Sequence, residues 1–419
     1  MEWEKFSRAG AGNEDISLQE KKIPRRDFLG GAIGIAAAVA VGGWIPAQAA
    51  AAVANTGTGP AMKNTPMFAY VGCRTTKERN ARGEGIGVYR MDGKTGDWTP
   101  VQLVKDLLNP SFLGFDRQQR YLYTVHGDSS EVSAFAIDQQ TGELEFLNTQ
   151  NSGGKNPVHL MPDPSNQFLL VPNYRTATLA VLPINQDGSL EPLCDLVQLT
   201  GELGPHKTEQ NYLRPHHIPF DRAGSFVVVP DKGGDRVYTF GFDAVSGKLV
   251  ANHPPFVQVR AGAGPRHVVF HPQKSYAYVL NELDSSITTY SYCSVSGILK
   301  PLQIMPMLPT SFTGNSTASE IAIAASGRFV YGSNRGHDSI AIFAVDQTNG
   351  LLSPVGWESS QGKTPRFFTL DPSENFLYAA NEDSDTIVTF RVNQATGKLT
   401  ATGQIVKSGS PTCIVFKQA

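Results

Sequence analysis

Cysteine is scarce: four residues in 419, with no CxxC pair and no Cys/His cluster, leave no zinc site to read. Excess charge of one sign is missing too. The 36 Lys and Arg are balanced by 38 Asp and Glu, for a net charge of -2, so neither a nucleic-acid surface nor an acidic partner is indicated. There is no GxSxG elbow, and no SxxK pair in a context that would serve a nucleophile. The longest apolar run, Leu29 to Ile45, is short for a membrane span and rich in Gly and Ala.

That run follows Pro24-Arg25-Arg26-Asp27-Phe28-Leu29 and precedes Ala47-Gln48-Ala49, an A-x-A-like cleavage site. Twin arginines ahead of a moderately apolar segment form the pattern of a twin-arginine export signal, which carries folded proteins. Residues 1–49 are therefore expected to be a cleaved signal, 50–64 a flexible linker and 65–419 the working domain. The mature chain is expected in the periplasm or outside the cell, with no stable membrane anchor.

What the rest of the chain has in plenty is turn chemistry. Gly (41) and Pro (27), with Asn and Asp, punctuate short β-rich runs from about Met67 onward. Gly262 to Tyr290 shows the unit: a strand, a turn at His271-Pro272-Gln273-Lys274, a strand, a break at Asn281-Glu282-Leu283-Asp284, and another strand. The unit recurs with Pro110, Pro157, Pro215, Pro265, Pro365 and Pro411 in first place, and with Ala318 in one copy. Turn positions follow at Asp116, Asp163, Asp221, His271, Ala324, Asp371 and Lys417, then at His126, Asn173, Asp231, Asn281, Asn334 and Asn381. Gly-bearing turns such as Gln140-Thr141-Gly142 and Thr348-Asn349-Gly350 join third strands to fourth ones.

Repeats of this period, each able to build one small antiparallel sheet, predict an all-β propeller. Seven frame starts predict seven four-stranded antiparallel blades. The last start has only one strand after it, Thr412 to Phe416, while Met67–Cys73, Gly85–Met91 and Trp98–Lys105 lack a first strand. The first blade is thus expected to be closed by the C-terminal strand, which hides the open edges. Cys73 and Cys413 then fall on neighbouring strands. A bridge between them is one reading, and small buried thiols in strands are the expected one for all four cysteines.

In such a ring the first strand of each blade lines the channel, and residues at its start crowd one rim with those ending the second strand. That rim gathers His, Arg and Glu, and a channel mouth where many loops converge is a usual ligand site. Asn173, Asn281, Asn334 and Asn381 share one frame position and read as turn chemistry. His159, His217 and His267 share another, and suit either packing around the channel or ligand contact. Glu282 matches Glu382 and Arg266 matches Arg366, so rim salt bridges stand beside substrate contacts as readings of these four. His337 lies in a polar loop, and Lys232 and Asp235 read as a solvated one.

The segments Arg214-Pro215-His216-His217, Gly264-Pro265-Arg266-His267, Asn281-Glu282-Leu283 and Ser333-Asn334-Arg335-Gly336-His337-Asp338-Ser339-Ile340 closely resemble the lactonase family of seven-bladed propellers. That family includes a 6-phosphogluconolactonase and the fungal 3-carboxymuconate lactonising enzyme. The resemblance covers essentially the whole mature chain. It departs at Arg214, where the family commonly has His, and at Phe367, where Asn is usual.

The resemblance implies His216, Arg266, Glu282 and Arg335 as the catalytic set, on successive blades. His159, His217, His267, His337 and Arg366 are further substrate-binding candidates. Expected is hydrolysis of a small anionic lactone without metal or cofactor. Arg266 and Arg335 would clamp the anion and the developing oxyanion, and His216 would act as base. Glu282 is left with three roles: orienting His216, holding an arginine, or taking the proton. A carboxymuconate-type lactonising cycloisomerase and an exported non-catalytic ligand-binding propeller are the alternatives. A calcium-dependent lactonase is disfavoured by the arginines, which repel a cation.

Overall fold

The recurring frame is a pairing register. In the computed structural model, which describes residues 67–417, Pro110 faces His126, Pro265 faces Asn281, Ala318 faces Asn334 and Pro365 faces Asn381. Isolated bridges place Pro157 opposite Asn173 and Pro215 opposite Asp231. Pro411 lies opposite Cys73, so Pro411–Lys417 is the innermost strand of the sheet that continues through Met67–Cys73, Ile86–Met91 and Trp98–Val104. Seven antiparallel sheets result, and the C-terminal strand closes the first blade as expected. The expected signal and linker lie outside the described residues.

Six sheets have four strands; the fourth has three, Phe226–Asp231, Arg236–Asp243 and Lys248–Gln258. Its inner edge is reduced to the Pro215–Asp231 and Phe220–Val227 bridges. Proline has no N–H to give to a ladder, and Pro215 and Pro219 interrupt this edge. Pro157 and Pro162 act likewise in the third blade, whose inner strand is only Met161–Pro162.

The turn residues perform their sequence-level roles. Asp116 Oδ1 accepts the Arg120 and Tyr121 N–H groups, Asp163 Oδ1 accepts those of Gln167 and Phe168, and His271 Nδ1 takes Gln273 and Lys274. Asn281 and Asn381 are buried and donate to Ser286 and Thr288, and to Thr386 and the Ser360 carbonyl. They hold the top turns.

Second strands are buried on both faces, as in Phe168–Asn173, because each blade is covered by two neighbours. Outer strands alternate, as in Ile298–Pro306. Seven hydrophobic clusters fill the seven blade interfaces. Five interfaces are also latched by a second-strand tyrosine whose hydroxyl donates to a glycine carbonyl in the next blade's outer turn. The pairs are Tyr70 to Gly142, Tyr123 to Gly188, Tyr278 to Gly350, Tyr331 to Gly397 and Tyr378 to Gly96. Gly142 has φ 78°, and a Cβ there would meet the Phe68 ring at 2.4 Å, so the latch needs glycine. Tyr331→Phe should therefore cost about 1 kcal/mol, read as a lower midpoint in chemical unfolding with the fold retained.

All four cysteines are free. Cys73 and Cys413 are buried, and Cys73 Sγ donates to the Gly85 carbonyl at 2.9 Å. Cys194 and Cys293 are exposed rather than buried, because they sit where their strands meet the outer turns.

Candidate active site

Three rings of seven residues build the channel mouth, and each follows from the register. The first closes the second strands: Arg74, Gly127, Tyr174, Lys232, Glu282, Arg335 and Glu382. The second follows each frame start, proline in six blades and Ala318 in the other: Ser111, Val158, His216, Arg266, Ser319, Arg366 and Thr412. Here the ladder slips by a residue, between Pro110 and Phe112, Pro265 and His267, and Pro365 and Phe367. A bulge leaves its extra residue unpaired and re-aims the side chain. Arg266 and Arg366 are such residues.

The third ring, one residue deeper, is Phe112, His159, His217, His267, Glu320, Phe367 and Cys413. Its rings touch in sequence: Phe112 to His159 at 4.2 Å between centroids, His159 to His217 at 4.1 Å, and His217 stacked on His267 at 4.3 Å. Burial pushes all three imidazoles well below their usual pKa; Arg266 pushes the same way at each, and neighbouring imidazoles do so at His159 and His217. His159 and His217 pack the channel wall as neutral rings, while His267 also meets Glu320 and His216 through its ring nitrogens. His217 Nδ1 accepts the Val268 N–H at 3.2 Å.

Above this ring lies a cavity of about 130 Å³, walled by Arg74, Arg79, Asn156, Val158, Tyr174, His216, Arg266, Glu282, Arg335 and Arg366. Larger hollows exist on the opposite side, around Tyr276, Cys293 and Lys300, but they gather none of these groups. Glu282 is the one carboxylate in the cavity lining. Its Oε1 lies 2.9 Å from Lys232 Nζ and 3.3 Å from Arg335 Nη2, and its Oε2 lies 3.2 Å from Arg266 Nε. Burial alone would raise the Glu282 pKa, but Lys232, then Arg335 and Arg266, outweigh it and hold the group far below the usual carboxylate range. Such a carboxylate is a poor base. Of its three possible roles, holding the arginines is the one this geometry serves.

Lys232 is not solvated, contrary to the expectation. It is 3 % exposed and bridges Glu282 and Glu209. Asp235 is buried too, accepting the Gly262 and Gly264 N–H groups. Both corrections have one cause: each side chain meets a partner on the following blade, beyond the reach of local composition. Arg214 lies over the Tyr212 ring at 4.2 Å and donates to the Tyr174 hydroxyl, bracing the rim beside His216.

His216, Arg266, Glu282, Arg335 and Arg366 are thus brought together. His159, His217 and His267 form the ring beneath. His337 is not in the cavity lining; it packs on Phe312, with Nδ1 2.6 Å from Ser339 Oγ.

Arg74 and Arg79 are absent from the sequence reading, while Tyr174 and Glu320 fall on rim positions of the frame with no role assigned. Arg74 is the seventh member of the ring ending the second strands, and joining the two termini into one blade would have found it. It is 4 % exposed, and its Nε and Nη1 have no hydrogen-bond partner among the described residues. Its nearest carboxylate oxygens are Asp128 at 3.6 Å and Glu382 at 4.0 Å. Among the described residues no three His, Cys, Asp or Glu side chains are grouped to hold a metal ion.

The model of the family described as lactonase, 7-bladed beta-propeller, matches residues 68–416. The chain belongs to this family. Two curated relatives of this lactonase-family chain are both called 6-phosphogluconolactonase. The Bacillus subtilis protein is 35% identical over 312 residues, 74% of this chain and 86% of the relative. That of Formosa agariphila is 33% identical over 314 residues, covering 73% and 86%. Among solved structures, the Pseudomonas aeruginosa periplasmic gluconolactonase PpgL superimposes with a TM-score of 0.78 at 29% identity, covering 84% of this chain and 99% of that one.

Proposed function

We propose that this lactonase-family protein hydrolyses a small anionic lactone at the rim cavity. One observation carries the reading: a neutral imidazole, His216, shares a small cavity with Arg74, Arg266, Arg335 and Arg366. Burial, then Arg266 and His267, lowers the His216 pKa, so the imidazole is unprotonated at neutral pH but a weaker base than a free one, and the negative charge building on the lactone oxygen raises its basicity during the reaction. Arg266 and Arg335 are the donors for the lactone carbonyl oxygen as it gains charge. Water adds to the carbonyl carbon, the ring C–O bond breaks, and the departing oxygen recovers the proton.

The anionic character follows from charge. Around the cavity Arg74, Arg79, Arg266, Arg335, Arg366 and Lys232 outnumber the carboxylates beside them, Asp128, Glu209, Glu282 and Glu382. Arg74 Nε and Nη1 lack hydrogen-bond partners there, and burial and Arg366 both work against its charge. A phosphate or carboxylate on the substrate would supply what it lacks. The relatives' name, 6-phosphogluconolactonase, fits that charge.

Export before action is part of the proposal, on the strength of Arg25-Arg26 and the apolar run behind them. A periplasmic relative is consistent with it.

The test is a panel of δ-gluconolactone, its 6-phosphate and a carboxymuconolactone, given to residues 50–419 with and without a chelator. Chelator-resistant hydrolysis is expected, with the anionic lactones preferred. Arg74→Ala should raise KM for the phosphorylated substrate about tenfold or more while leaving the neutral lactone nearly unaffected. A flat panel with tight anion binding would overturn catalysis. Interconversion of the muconate and its lactone without hydrolysis would assign the cycloisomerase chemistry instead.

A further inference from the structure

A carboxylate and two imidazoles lead in line to the cavity. His216 Nδ1 is 3.2 Å from His267 Nε2, and His267 Nδ1 is 2.9 Å from Glu320 Oε1. The three residues come from the inner edges of three successive blades, and all are at least nine-tenths buried. Glu320 Oε1 also accepts the Ile321 N–H at 3.1 Å. That contact favours Oε1 as the carbonyl-type acceptor oxygen, with any carboxyl proton on Oε2. An acceptor at this end fixes every proton along the line. His267 donates from Nδ1 and accepts at Nε2; His216 donates from Nδ1, and its Nε2 is left bare. His216 Nε2 has no hydrogen-bond partner among the described residues, and His216 lines the cavity.

We propose that Glu320 and His267 are positioning residues that hold His216 in the tautomer whose Nε2 accepts a proton from the attacking water. The inference rests on the hydrolytic reading above. A catalytic triad fixes its histidine through one carboxylate contact; here a second imidazole carries that control across a blade interface. His216 Nε2 takes the proton as the water oxygen bonds to the carbonyl carbon, and returns it to the ring oxygen when the C–O bond breaks. The line ends as it began.

The charged groups facing it are Arg266, from the strand that carries His267, and Arg366, from the next blade, with Lys232, Glu282 and Arg335 beyond Arg266. The remaining neighbours are the neutral His159 and His217 rings and the Cys413 thiol. Burial pushes the Glu320 carboxyl up to about 8, against the pull of Arg266. Ionised Glu320 places negative charge at the end of the line and favours the imidazolium that forms at His216. Turnover should thus rise as pH rises through about 8.

Glu320→Gln keeps an acceptor oxygen beside Ile321 but removes the charge. The expected result is a fall in kcat of roughly 10- to 100-fold when measured above pH 8, little change in KM, and loss of the rise near pH 8. A variant with the original kcat and pH profile overturns the proposal. Because this variant can fail to fold, the deciding measurement is made on the unmutated full chain. Imidazole ¹⁵N shifts should show His216 and His267 both protonated on Nδ1, with Nε2–H at either one refuting the relay. This readout needs no substrate, so a flat lactone panel and a wrong tautomer are separate failures.

Discussion

Arg266→Ala is expected to lower kcat for the preferred lactone by about 100- to 1,000-fold, the usual loss on removing one donor from an oxyanion site. Three features make Arg266 the strongest choice. It occupies a bulge, so its side chain is aimed out of the ladder into the cavity. It is 3 % exposed, so its charge acts where water screens little. It is also held at both ends, with Nη1 donating to the Ser319 carbonyl at 2.5 Å and Nε beside Glu282. Such a guanidinium needs little reorganisation as charge develops on the carbonyl oxygen. Arg266→Lys keeps the charge and loses the fork, so it should recover only part of the rate. Steady-state kinetics on both variants checks this, with thermal melting as the folding control. A change of less than about threefold for the alanine variant would remove Arg266 from the chemistry.

Glu282→Gln should act first on stability, by about 3–5 kcal/mol. The carboxylate is the shared counter-ion of Lys232, Arg266 and Arg335, and without it three buried or half-buried cations face one another. The sign with pH is fixed by the lowered pKa. A carboxylate depressed in the folded state stabilises it above its unfolded value of 4.5, and that contribution disappears as pH falls toward the folded value. The gap in unfolding midpoint between the two proteins should therefore be constant from about pH 6 upward and narrow in acid. A gap that instead widened in acid would contradict the ion-pair assignment.

The register of this fold was legible because it is written in local chemistry. Asp, Asn, Gly and Pro recur where turns require particular backbone geometry, and no long-range knowledge is needed to see them. The inner edge of the fourth blade was less legible: Pro215 and Pro219 announce a broken ladder, but only the sheet shows what remains of it. Site residues divide along the same line. Arg266 and Arg335 came from local motifs. Lys232 was misread because Asp231-Lys232-Gly233-Gly234 has the composition of a solvent loop, while Glu282, which holds it buried, lies fifty residues away. The frame puts Glu320 at the same rim position as His267, but its role is not legible, since that acidic residue in Thr317–Ile323 acquires meaning only when His267 is opposite.

The shared first blade has a consequence in the time order of synthesis. Arg74 enters the rim from the strand Met67–Cys73, which is made early, but the neighbour that seats that strand is Pro411–Lys417. The Arg74 N–H itself donates to the Ser410 carbonyl at 3.1 Å. A nascent chain emerging from the ribosome thus carries six blades' worth of sequence with the anion cavity still open on one side. Only after Lys417 has cleared the exit tunnel can the ring shut and Arg74 take its place opposite Arg266. The place of Arg74 in the anion cavity is therefore set by the strand of the ring that is made last among the described residues.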